Sequence, residues 1–149
     1  MREVIGDITE IPFGIIVHQV NCKKAIGGGL SGVLIKKWPA VKAAYFSAFI
    51  GHTPEEVYGT WNEVKVNDDI TVINLFSQFD YGNAYRTKKQ YTNVDYLVNG
   101  LKAIRSKYPN LPIYIPKYIG CGLGGADWNE VKKELAHMPL IAIELPDKN

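Results

Sequence analysis

Hydrophobic positions along the chain follow two different periods. Short β-branched runs recur at residues 3–8 ("EVIGDI"), 13–20 ("FGIIVHQV"), 70–77 ("ITVINLFS"), 112–118 ("PIYIPKY") and 139–145 ("PLIAIEL"). Their near-continuous apolar character predicts strands, several of them buried on both faces. Between these runs, apolar residues recur at spacings of three and four, the period of a helix with one buried face. That spacing predicts helices from Gly32 through Trp38 toward Ile50, from Thr92 to Lys107, and from Trp128 to His137. The middle one is clearest: Val94, Leu97, Val98, Leu101 and Ile104 share a face, with Thr92 or Asn93 placed to cap its start.

Strands alternating with helices predict an α/β fold, a mixed and largely parallel sheet with helices over both faces. The segment "EVYGTWNEVKVNDDITVINLF" reads as strand, tight turn at residues 67–69, and strand. Such a hairpin is antiparallel and makes the sheet mixed. Residues 80–91, "DYGNAYRTKKQY", are polar and glycine-bearing and predict a long surface loop. With 149 residues and 46% apolar content, the chain suits a single domain over residues 1–149, with no repeat or linker.

Composition works mainly by exclusion. A net charge of +2, with lysines and arginines spread along the chain, gives no strong nucleic-acid footprint. Cys22 and Cys121 lack His or Cys companions at metal-ligand spacing, so no zinc site or disulfide framework is predicted. The opening "MREVIGDITEIPFG" has no long apolar core, and no later run approaches ~18 apolar residues. The expectation is a soluble, cytoplasmic protein with no metal and no cofactor.

Candidate chemistry lies in two glycine loops, "NCKKAIGGGLSGVLIKKWP" (21–39) and "IGCGLGGADW" (119–128). Each follows a predicted strand and precedes a predicted helix. Both therefore bring backbone N–H groups and positive helix ends to the carboxyl edge of the sheet, where ligands bind in open α/β folds. A pyrophosphate suits this arrangement, because glycines remove side chains and unpaired N–H groups bond phosphate oxygens. Neither loop ends in the lysine and serine or threonine of a Walker loop, which argues against an ATPase. Taken one at a time, the same glycines also suit ordinary turns before helices.

The ordered set "GDIT" (6–9), "HQVNC" (18–22), "GGGLSGVL" (27–34), "NLFSQ" (74–78) and "IGCGLGGADW" (119–128) resembles the macrodomain family, which binds ADP-ribose. The resemblance runs from about residue 2 to residue 145 and implies a three-layer α/β/α fold. It implies that Asp7 receives the adenine amino group, with Ile8 offering backbone contact, and that Asn21 touches the distal ribose. Gly27, Gly28, Gly29 and Leu30 would form one ligand loop; Gly120, Cys121, Gly122, Leu123 and Gly124 would form the other, with Ser77 also against the ligand.

The "GCGL" form resembles the compact branch that contains ADP-ribose 1″-phosphate phosphatases and ADP-ribosyl glycohydrolases. The lysine and aspartate of its lysine-dependent glycohydrolases map near Gln78 and Gly124, so neither group is present. His18, in "VHQVN", matches the histidine of the phosphatase side and is the candidate nucleophile or general acid/base. A buried histidine bridging two backbone groups is the alternative.

Asp127 is a second catalytic candidate, although Asp127 and Glu130 also carry capping-box spacing. Lys88 and Lys89 can steer a dianionic substrate or serve a solvated loop face; Tyr81, Tyr85 and Tyr91 can stack or close over a ligand, or anchor the loop to the core. The expected ligand is ADP-ribose or ADP-ribose 1″-phosphate, with ADP-ribosylated macromolecules as further partners. The expected activity is release of the terminal phosphate. Passive ADP-ribose binding, and hydrolysis of ADP-ribosyl or O-acyl-ADP-ribose substrates by a substrate-activated water, stand beside it.

Overall fold

Six strands carry the architecture of the computed structural model, which describes residues 1–147. They are β1 (Arg2–Ile5), β2 (Gly14–Gln19), β3 (Trp61–Lys65), β4 (Ile70–Leu75), β5 (Ile113–Pro116) and β6 (Ile141–Glu144). Their order in the sheet is β1-β6-β5-β2-β4-β3. Every neighbouring pair is parallel except β3 with β4, the expected hairpin, whose turn is closed by Asn67 Oδ1 accepting from the amides of Asp69 and Ile70.

Side chains alternate across the sheet, and each face buries against its own helices. Ile15 and Val17 of β2, Ile73 and Leu75 of β4, and Ile113 and Ile115 of β5 pack under α5 (Val94–Lys107) and α6 (Trp128–Leu135). Leu97, Leu101 and Ile104 supply the buried face of α5, as their spacing predicts. On the opposite face, Ile16, Val72 and Ile143 meet Leu34 of α1 (Gly29–Lys37) and Val41 of α2 (Pro39–Ser47). Helices on both sides of a mixed, largely parallel sheet make the three-layer α/β/α fold.

Several boundaries differ from the sequence reading for identifiable reasons. The helix expected from Gly32 toward Ile50 is two helices, because Pro39 forces Trp38 into an extended conformation at φ −131° and ψ 90°. Residues 56–57, expected as the start of a strand, instead end the short helix α3 (Pro54–Val57). Thr53 and Glu56 cap it reciprocally, and the strand begins only at Trp61. The first strand ends at Ile5, since Asp7 caps a 3₁₀ turn over Ile8–Glu10. The polar loop contains one short helix, α4 (Ala84–Thr87). Asn93, not Thr92, caps α5 by accepting from the Tyr96 amide at 3.0 Å.

Candidate functional site

Both glycine loops leave the carboxyl ends of parallel strands, the first from β2 and the second from β5. Between them lies a cavity of about 380 Å³ lined by residues 18–21 and 26–31, by Gln78, Tyr81 and Gly82, and by much of residues 116–124. A second cavity, about 410 Å³, adjoins it at the ends of β1 and β6 and is lined by residues 6–9, Val33 and residues 143–145. Gly29, Leu30, Pro116 and Lys117 wall both, so the two form one elongated cleft.

Asp7 stands at one end. Its Oδ1 accepts from the Thr9 amide at 2.9 Å and the Thr9 hydroxyl at 2.7 Å, which pins the carboxylate. The same bonds hold its pKa below the usual value, with the Thr9 hydroxyl contributing most. Oδ2 makes no bond among the described residues and remains an acceptor for a ligand donor. Ile8, buried beside it, lines the same cavity.

The centre of the cleft lies against the start of α1. Gly28 is its N-cap and supplies no side-chain bond to the first N–H groups. Gly29 and Leu30, the first residues of that helix, wall both cavities, and the positive end of a helix favours an anion. Lys117 stands across from them, 3.2 Å from Glu144.

Glycines in the two loops serve two different purposes. A Cβ built on Gly28, Gly29 or Gly122 meets nothing within 4 Å, so these residues border open cleft volume. A Cβ on Gly124 collides with the Thr92 hydroxyl and comes within 2.7 Å of the Gly120 carbonyl. One on Gly120, whose φ is +75°, meets Thr92 Cγ2 at 2.9 Å. Gly120 and Gly124 are thus required by packing inside the loop.

What packs there is a polar clamp rooted in Gln19. Its amide nitrogen donates to Gln78 Oε1 at 2.8 Å and to Thr92 Oγ1 at 2.7 Å, while its carbonyl accepts from Ser77 Oγ at 2.6 Å. Thr92 Oγ1 donates a hydrogen bond to the Gly120 carbonyl at 2.7 Å. Ser77 is fully buried and does not line the cleft; its contribution is to orient Gln19. Gln19, Gln78 and Thr92 were not singled out as site residues, because the bonds joining them span 59 and 73 residues of sequence.

Asn21 lines the first cavity, yet its side chain chiefly shapes the first loop. Nδ2 donates to the Ala25 carbonyl at 2.7 Å, and Oδ1 accepts from the Lys23 amide and from the Tyr45 hydroxyl, both at 2.9 Å. Cys121 lines neither cavity, is half-buried, and burial pushes its thiol up to about 11. Leu123 is exposed at the cleft mouth, as is Tyr81.

His18 is 2% exposed and lies on the α1/α2 side of β2. Its Nε2 is 2.5 Å from Asn74 Oδ1 and its Nδ1 is 2.9 Å from Ser31 Oγ. Both ring nitrogens are engaged, and desolvation by burial lowers its pKa to about 4. The imidazole borders the first cavity beside Ser31 but is almost fully buried. Asp127 caps α6 by accepting from the Asn129 amide at 2.9 Å, is exposed, and does not wall either cavity. The reciprocal bond from Glu130 is not formed among the described residues.

An elongated, glycine-walled cleft lies across the carboxyl edge of a three-layer α/β/α sheet, the edge where open α/β folds take their ligands. The fold is that of the macrodomains. The macrodomain of Mycobacterium tuberculosis DarG superimposes with a TM-score of 0.71 at 19% identity, over 97% of this chain and 99% of that one. A Bacteroides thetaiotaomicron protein described as of unknown function gives 0.74 at 24% identity over 97% of each chain. Thermosipho africanus DarTG in complex with ADP-ribose gives 0.70 at 18% identity, over 97% of this chain and 42% of that longer one. No protein-family model and no curated protein matches the sequence.

Proposed function

We propose that the cleft binds ADP-ribose, with adenine at Asp7 and Ile8, the diphosphate against the start of α1, and the distal ribose between the two glycine loops. The observation that carries this reading is the continuity of two cavities, one holding a pinned acceptor and the other bounded by open glycine positions. Adenine offers an amino donor to the unoccupied Asp7 oxygen. A diphosphate takes hydrogen bonds from uncapped helix N–H groups. An ADP-ribose complex of a protein sharing this fold supports the assignment. ADP-ribosylated macromolecules belong to the same reading, with their attached residue at the exposed mouth near Tyr81 and Leu123.

Hydrolysis of the terminal phosphate of ADP-ribose 1″-phosphate is the second reading, favoured by the His18–Ser31 pair in the wall of the first cavity. Against His18 as its general acid stands a pKa of about 4, which leaves roughly one imidazole in a thousand protonated at pH 7. Recognition is therefore the function better supported. Calorimetry with ADP-ribose tests it, and Asp7→Ala is expected to weaken binding by about 1–3 kcal/mol through loss of a charge-assisted bond. No heat at millimolar ADP-ribose overturns the reading. Single-turnover phosphate release from ADP-ribose 1″-phosphate decides the second.

A further inference from the structure

The His18 contacts belong to a longer row with a fixed direction. His18, Asn74 and Asn62 are register neighbours across β2, β4 and β3, and all three face the α1/α2 layer. At the far end of the row, on the edge strand β3, Asn62 Nδ2 donates to the Ala44 carbonyl at 2.6 Å. A carbonyl can only accept, so Asn62 must turn its Oδ1 toward Asn74, where it accepts from Nδ2 at 3.0 Å. The Val41 carbonyl, 3.4 Å from the same Nδ2, imposes the same orientation. Asn74 Oδ1 then faces His18 and accepts the proton of Nε2. A neutral imidazole protonated at Nε2 has a lone pair at Nδ1, which accepts the Ser31 hydroxyl proton.

The hydrogen bonds of this row run one way, from Ser31 at the cleft through His18, Asn74 and Asn62 to the Ala44 carbonyl. Ser31 is half-buried, in the first turn of α1, and forms part of the wall of the first cavity. Its single proton is committed to His18, so only lone pairs face the cleft. We propose that Ser31 is a specificity-determining residue whose oxygen, held as an obligate acceptor by the His18–Asn74–Asn62 row, selects ligands that present a sugar hydroxyl to the first cavity. A hydroxyl donates to that oxygen, whereas an ionised phosphate oxygen at the same spot meets a lone pair and is repelled. The surrounding N–H groups of α1 take anions; Ser31 alone reads a donor among them. This deepens the ADP-ribose reading and rests on it, because it names the group that distinguishes the terminal sugar from a bare phosphate.

The test compares Ser31→Ala with the wild type in calorimetry against ADP, ADP-ribose, and ADP-ribose lacking the 2″- or the 3″-hydroxyl. Alanine is a good helix former, and thermal melting verifies that the variant is folded. The variant should lose roughly threefold to tenfold in affinity for ADP-ribose and almost nothing for ADP. One deoxy analogue should show the same loss on the wild type and no further loss on the variant. Nitrogen-15 spectra should give the Nε2–H tautomer of His18 at neutral pH. An Nδ1–H tautomer overturns the proposal, as does equal loss for ADP and ADP-ribose, or undiminished ADP-ribose binding by the variant. Failure of the wild type to bind ADP-ribose at all would instead remove the functional reading on which the proposal stands.

Discussion

The sharpest consequence of the polar row is the pH dependence of stability it gives to His18. A histidine in the unfolded chain titrates near 6.5, whereas burial lowers this one to about 4 in the folded protein. Between those values the unfolded chain binds more protons, so stability rises with pH through the window and is lost as pH falls. The difference of about 2.5 units corresponds to about 3 kcal/mol in full, and about 2 kcal/mol of it is gone by pH 5. With an ordinary dependence on urea, the unfolding midpoint should fall by on the order of 1 M between pH 7.5 and pH 5. His18→Gln removes the titrating group and should flatten the slope in that interval. Asp7, Glu56 and Glu63 also have lowered pKa values, but their stabilisation is lost below the normal carboxylate range, at more acid pH. Equal pH slopes for wild type and variant from pH 5 to 7 would refute the buried, neutral histidine and restore it as an acid for catalysis.

The glycines separate by the same logic of occupied and open space. Gly28→Val and Gly122→Val should fold normally by circular dichroism yet abolish ADP-ribose binding in calorimetry, because their side chains enter the cleft. Gly124→Val should instead lower the melting temperature, since its Cβ overlaps Thr92 and the Gly120 carbonyl. Asp127→Asn should leave binding and stability close to wild type, whereas Asp127→Ala should cost about 1 kcal/mol of stability by removing the α6 cap. A large loss of phosphate release in Asp127→Asn alone would reverse that assignment.

Much of the fold was legible because its signals are local. The apolar face of α5 from Leu97 to Ile104 and the turn at residues 67–69 each lie within a few residues of sequence. Two misread boundaries also had local signals: Pro39 in the first helical pattern, and Thr53-Pro54-Glu55-Glu56 before the hairpin, which carries capping-box spacing. The site was legible as loops but not as contacts. Nothing local distinguishes Gly122, beside open volume, from Gly124, packed on Thr92, because the difference lies in a residue some thirty positions away. Ser31 and Asn74 were quoted within motifs without being given a role. Their importance depends on strand register, which places Asn74 beside His18 across 56 residues of chain.

The end of β2 explains how both loops are held in place. Alternation along that strand sends His18 to one face and Gln19 to the other, and each roots a polar network serving one glycine loop. His18 ties the start of α1 to the sheet through Ser31; Gln19 ties Gly120 and Gly124 to the sheet through Thr92. Burying such groups in a central strand is unfavourable unless each finds a partner, and no buried side-chain nitrogen or oxygen among the described residues lacks one. An apolar trio at His18, Asn74 and Asn62 would satisfy the core with less risk, so the row makes sense as a device for orientation. Its effect is to fix loop geometry and donor direction in advance, which reduces the ordering cost of binding. The same rigidity keeps His18 locked between two partners. The feature that makes this edge of the sheet a good receptor is therefore also what withholds its one central imidazole from proton transfer.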